Sequence, residues 1–135
     1  MAFLLSKQSI LYLLDELYKQ SLSREESFPA SINEKDIDKI YSIIKNASQS
    51  VFGIKRNPSF IEQIAYITFQ INKQHILADG NKRLSLLITL YLCEKNKIHH
   101  EKMSQSDWEM YIMRIAADSQ FTQEQATEYL IEKLV

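Results

Sequence analysis

Within the nine residues His75-Ile76-Leu77-Ala78-Asp79-Gly80-Asn81-Lys82-Arg83 stand a proton acceptor, a carboxylate, a glycine, an amide and two cations. An imidazole with an intrinsic pKa of about 6.5 suits proton abstraction from an attacking hydroxyl. Gly80 lets a backbone turn come close to a ligand because it has no Cβ to clash. Gly80, Asn81 and Lys82 fall where a helix would begin, and unpaired N–H groups and the positive end of the macrodipole there favour an anion. Lys82 and Arg83 add fixed positive charge, and a guanidinium grips phosphate in two-pronged fashion. Asp79 adjoins this anion site, where a Mg²⁺ ion bridging a carboxylate and phosphate oxygens needs its protein ligand. Together these residue types suit phosphoryl or nucleotidyl transfer to an alcohol.

Two apolar segments must hold the link. Asn57-Pro58 reads as a helix start, with Asn57 as cap and Pro58 at the first helical position. Phe60, Ile64, Ile67, Thr68 and Ile71 then recur at three- and four-residue steps, one face of a helix ending near His75. Beyond the link, Leu84, Leu86, Leu87, Ile88, Leu90, Tyr91, Leu92 and Cys93 leave almost no polar side, so the second helix is expected to be buried on all faces.

The motif resembles the signature of the Fic and Doc proteins, HxFx(D/E)GNxRxxR in the Fic branch and HxFxDANKR in the Doc branch. Leu77 stands at the Phe position, Gly80 looks like Fic, and Lys82 and Leu86 look like Doc, Leu86 falling where Fic has its second Arg. Val51-Phe52-Gly53 ahead of the motif helix and the long apolar helix ending in Lys95-Asn96-Lys97 extend the resemblance over roughly residues 31 to 98. By position it implies His75 as general base, Asp79 as metal ligand, Gly80 and Asn81 as the phosphate-binding turn, and Lys82 and Arg83 as phosphate neutralisers. It further implies ATP as co-substrate, Mg²⁺ as cofactor and a protein hydroxyl as acceptor. The absent second Arg leans toward a Doc-like toxin kinase, with Fic-type AMP transfer and an inactive binding module as alternatives. Many Fic proteins carry an inhibitory helix (S/T)xxxE(G/N). The nearest string, Ser21-Leu22-Ser23-Arg24-Glu25-Glu26, lacks the final residue and falls in an expected loop, so restraint of a toxic activity is expected from a separate antitoxin.

Plainer readings exist for each feature. Asp, Gly and Asn recur in turns for conformational reasons alone. Yet cations on a first helical turn are unfavourable by about 0.3 to 1 kcal/mol unless an anion is present. His99-His100-Glu101 looks like a metal cluster, but adjacent histidines in a turn seldom reach one ion, and a solvated joint is expected. Trp108, Tyr111 and Ile115 read as core.

The rest of the chain fits one domain spanning 1–135, an all-α bundle of five or six helices around a buried central helix. Hydrophobic residues make up 45% of the 135, while two Gly and two Pro argue against a turn-rich β fold. Ile10, Leu13, Leu14, Leu17 and Tyr18 form one apolar face, and residues 21–32 read as the longest loop, either a target-positioning flap or a plain connector. Asn33 is expected to cap a helix bearing Ile37, Ile40, Tyr41 and Ile44. Ser106 to Glu109 and Thr122 to Gln125 read as capping boxes. A net charge of −1 gives no global attraction to nucleic acid or anionic lipid. The lone Cys93 suits a reducing compartment. Met1-Ala2-Phe3-Leu4-Leu5 is too short for a signal peptide, and no stretch is long enough to span a membrane. The expectation is a cytoplasmic protein.

Overall fold

Ile67 and Ile71 on one helix and Leu84, Ile88 and Leu92 on the next share a single hydrophobic cluster, which fixes the hairpin carrying the motif. A computed structural model describes residues 5–24, 34–51, 53–55, 57–77 and 80–135. Its elements are α1 (Lys7–Arg24), α2 (Glu34–Ala47), a minimal hairpin of β1 (Ser50–Val51) and β2 (Ile54–Lys55), α3 (Phe60–Gln74), α4 (Asn81–Lys95), a 3-10 turn at His100–Lys102, α5 (Gln105–Ala117) and α6 (Gln123–Leu134). The class is all-α; the hairpin pairs Ser50 with Lys55 and Val51 with Ile54 around Gly53, whose φ of 77° suits a residue without Cβ.

The central helix is α3 rather than α4. It packs against α2, α4, α5 and α6, and buries eight of its fifteen residues where α4 buries six of fifteen. Tyr66, Ile67 and Ile71 enter one cluster with α1, α2 and α4. Ile64 and Ala65 enter a second, with Trp108, Tyr111, Ile112 and Ile115 of α5 and Ala126, Leu130 and Leu134 of α6. Leu86, Leu87, Leu90 and Tyr91 of α4 are only partly buried, so that helix keeps one half-wet side.

A polar seam runs between α3 and α4. The hydroxyls of Thr68 and Thr89 meet at 2.8 Å, and Asn72 Nδ2 donates to Ser85 Oγ at 2.8 Å. All four side chains are buried, and each bond satisfies a group that would otherwise be stranded. These contacts fix the register of the two helices, and so the geometry of the link between them.

Helix ends depart from expectation in three places. Ser59, not Asn57, caps α3, accepting from the Glu62 N–H. Asn57 is buried instead, donating from Nδ2 to the Ala47 carbonyl at 2.8 Å while its own carbonyl accepts from Gln63 Nε2. The capping box of α5 is built by Ser104 and Asp107 rather than Ser106 and Glu109; the box of Thr122 and Gln125 on α6 is as expected. Helix α1 continues to Arg24, so residues 21–24 are helical and the inhibitory-like string does not begin in a loop. Residues 25–33, including the expected cap Asn33 and most of the flap candidate, lie outside the described residues. Among the described residues no helix is long and apolar enough to cross a membrane.

Candidate active site

Gln74 ends α3, and His75 caps it in the left-handed region at φ 47°, ψ 52°. A non-glycine residue held there costs about 1–2 kcal/mol, which the flanking packing must offset. That packing is supplied at once: Ile76 and Leu77 turn inward and join the first hydrophobic cluster, Leu77 with 3% of its surface exposed. A leucine at the motif's Phe position therefore still anchors the link in the core.

Asn81 then closes the link. Its Oδ1 accepts the Leu77 N–H at 2.9 Å and its Nδ2 donates to the Leu77 carbonyl at 2.8 Å. The carboxamide is thus committed to the loop, and what Asn81 offers an anion is its main-chain N–H. Gly80 precedes it, buried, at φ 90° and ψ 8°, a left-handed conformation suited to glycine. With Gly80 as its cap, α4 starts without a side-chain cap bond. The first N–H to reach back along the helix is that of Leu84, to the Gly80 carbonyl at 2.9 Å. The N–H groups of the first turn lie ahead of that ladder, at the positive end of the helix dipole.

His75, Gly80, Asn81, Lys82 and Arg83 line one cavity of about 360 Å³ with Asn72, Ala116 and Ala117. Five of the six residues singled out in the sequence are therefore brought together; the sixth, Asp79, lies outside the described residues, as does Ala78. Asn72, Ala116 and Ala117 carried no signal of their own. Asn72 sits one turn before His75 inside an apolar stripe, and the two alanines come from α5. Lys73 Nζ reaches the Asp118 carbonyl at 3.4 Å, while Arg114 lies 4.1 Å over the Phe121 ring and 3.8 Å from Asp118. These ties draw the end of α5 across the motif, and its two methyl side chains leave room for a ligand.

Among the described residues the lining carries two cations, Lys82 and Arg83, and no carboxylate. No group of three or more His, Cys, Asp or Glu is placed to hold a metal among those residues either. A hollow of about 270 Å³ adjoins, lined by Lys82, Arg83, Leu86, Glu109, Ile112 and Met113. Leu86, at the position of the second Fic Arg, packs against the second hydrophobic cluster. A larger groove of about 750 Å³ follows α5 past Met110, Met113 and Arg114 and meets the cavity at Ala117. It lacks the imidazole and the helix start, so chemistry favours the smaller space despite its size.

The other candidates resolve as structure. His99 pairs with Glu101 at 2.9 Å and His100 with Glu94 at 3.2 Å, so the adjacent imidazoles address different carboxylates. Trp108, Tyr111 and Ile115 are buried core, with Trp108 Nε1 donating to the His100 carbonyl at 3.0 Å.

Residues 4–93, about two thirds of the chain, match the profile of the Fic/DOC family. The chain belongs to that family, whose members are in general protein-modifying transferases. No curated protein and no solved structure matches it significantly.

Proposed function

We propose that the protein transfers the terminal phosphate of ATP to a hydroxyl of a protein, as a Doc-like toxin kinase acting in the cytoplasm and restrained by a separate antitoxin. The observation that carries this reading is that His75 and the opening turn of α4 line one cavity. His75 takes the proton of a Ser, Thr or Tyr hydroxyl as the oxygen attacks the γ-phosphorus. The bond to the β,γ-bridging oxygen breaks, and ADP leaves. The main-chain N–H groups of Gly80 and Asn81 and the cations Lys82 and Arg83 stabilise charge on the phosphates, in a position fixed before the nucleotide arrives. Asp79 would hold Mg²⁺, which when bound neutralises charge between adjacent phosphate oxygens.

Terminal-phosphate transfer is favoured over AMP transfer because Leu86 gives no cation where Fic enzymes hold the far end of ATP. The anchored, clamped link favours an active enzyme over an inactive module. ATP labelled at either its first or its last phosphate, incubated with the protein and a host lysate, tests the reading. Label from the last phosphate alone should appear on a polypeptide and vanish with His75→Ala. Label from the first phosphate would instead support nucleotidyl transfer by the same residues. Toxicity retained by His75→Ala would support a binding module.

A further inference from the structure

Asn72 is a carboxamide with only one end satisfied. It is 1% exposed and lines the His75 cavity from the last full turn of α3. Its Nδ2 donates to the Thr68 carbonyl and to Ser85 Oγ, both at 2.8 Å. Ser85 Oγ in turn donates to the Lys82 carbonyl at 3.0 Å. A main-chain carbonyl only accepts, and the single Ser85 proton goes to Lys82, so the amide fits one way round. Its Oδ1 has no hydrogen-bond partner. Buried acceptors are almost always matched by a donor, and Asn72 is one of the residues lining the cavity that holds His75.

His75 has the complementary need. A histidine acting as base presents a lone pair on one ring nitrogen, which requires the other to keep its proton and to be held by an acceptor. We propose that Asn72 is a positioning residue for His75. On turning inward from its exposed position, the His75 ring gives its N–H to Oδ1, which selects the neutral tautomer whose other nitrogen faces the substrate hydroxyl. The inference rests on the reading of His75 as the general base. An uncharged acceptor fits this location because it orients the ring without setting a negative charge beside the nucleotide phosphates. The α3 turn thereby acquires a second role: the Thr68 carbonyl, which holds Nδ2 at 2.8 Å, also orients the amide oxygen.

Nitrogen-15 NMR of the His75 ring in the full chain, without nucleotide, tests this independently of any activity. The wild-type ring is expected to hold one neutral tautomer, and Asn72→Ala to show the tautomer mixture of an unconstrained imidazole. If the chain is active, the same variant should lose roughly 10- to 100-fold in kcat, with little change in KM for ATP. Ser85→Ala, which leaves Oδ1 in place, should lower the melting temperature yet keep the single tautomer. A melting temperature lowered by Asn72→Ala with an unaltered ring spectrum would reduce Asn72 to a structural residue and overturn the proposal. Should that variant not fold, a tautomer mixture in the wild type overturns it equally. A single tautomer that disappears in Asn72→Ala, in a chain without transferase activity, would leave the orientation standing and remove the kinase reading instead.

Discussion

The side chain of Asn81 bonds to both polar groups of the Leu77 main chain, the N–H at 2.9 Å and the carbonyl at 2.8 Å. This ring ties Leu77, anchored in the core, to the first residue of α4. Asn81→Ala strands two partly buried main-chain groups, each worth about 1–3 kcal/mol when left unmatched. Thermal denaturation should show a clear loss of stability, accompanied by weaker nucleotide binding in titration calorimetry. Asn81→Asp keeps the acceptor for Leu77 but turns a carboxylate toward its carbonyl and the anion site, and it should bind nucleotide less well than the alanine variant.

His75 pays for its position in backbone strain, at φ 47°. Asparagine tolerates that region better than most residues. His75→Asn relieves that strain but removes the ring N–H proposed for Asn72 Oδ1, so the two effects offset and the urea midpoint should stay close to that of the wild type. Label transfer should fall by about 10²–10⁴-fold, the usual worth of a general base.

Lys82 is exposed on the first turn of α4, its Nζ 4.0 Å from Met113 Sδ. Without a ligand its charge opposes the helix dipole. Lys82→Ala should stabilise the free protein by up to about 0.3–1 kcal/mol and yet weaken ATP binding. Melting curves with and without nucleotide read the two opposite signs directly. A variant less stable in both conditions would argue that Lys82 is structural.

Burial pushes the Cys93 thiol up to about 12, and the Tyr111 phenol is shifted upward by burial as well. Both groups bind protons more tightly folded than unfolded. Their contribution is therefore complete below the unfolded pKa values, roughly 8.5 for a thiol and 10 for a phenol, and is lost as pH rises beyond them. Urea midpoints should fall steadily from about pH 8.5 upward, and Cys93→Ala should flatten the first part of that decline. The native thiol should also resist alkylation until the chain unfolds.

The motif could be read from the sequence because its parts are adjacent and its flanking helices are strongly periodic. His75, Gly80, Asn81, Lys82 and Arg83 needed only local geometry to meet. Asn72 escaped notice because it interrupts an apolar stripe, and its meaning depends on Ser85 across a helix interface. Ala116 and Ala117 were invisible for a similar reason: only the docking of α5 through Lys73 and Asp118 brings them to the cavity. The misplaced caps show the same limit. Asn57-Pro58 has the residue types of a helix start, but the Ala47 carbonyl claimed Asn57, and Ser59 took its place. The apolar run of α4 suggested the most enclosed helix, whereas burial is greater along α3, which packs on four partners.

Whether the cavity receives a nucleotide's phosphates is read most directly from main-chain amide NMR during titration with Mg²⁺ and ATP. The largest shifts should fall on Gly80, Asn81, Lys82 and Arg83, with a smaller change at the His75 ring. Binding that left these amides unmoved, or shifts confined to the α5 groove around Met110 and Met113, would contradict the assignment of the site.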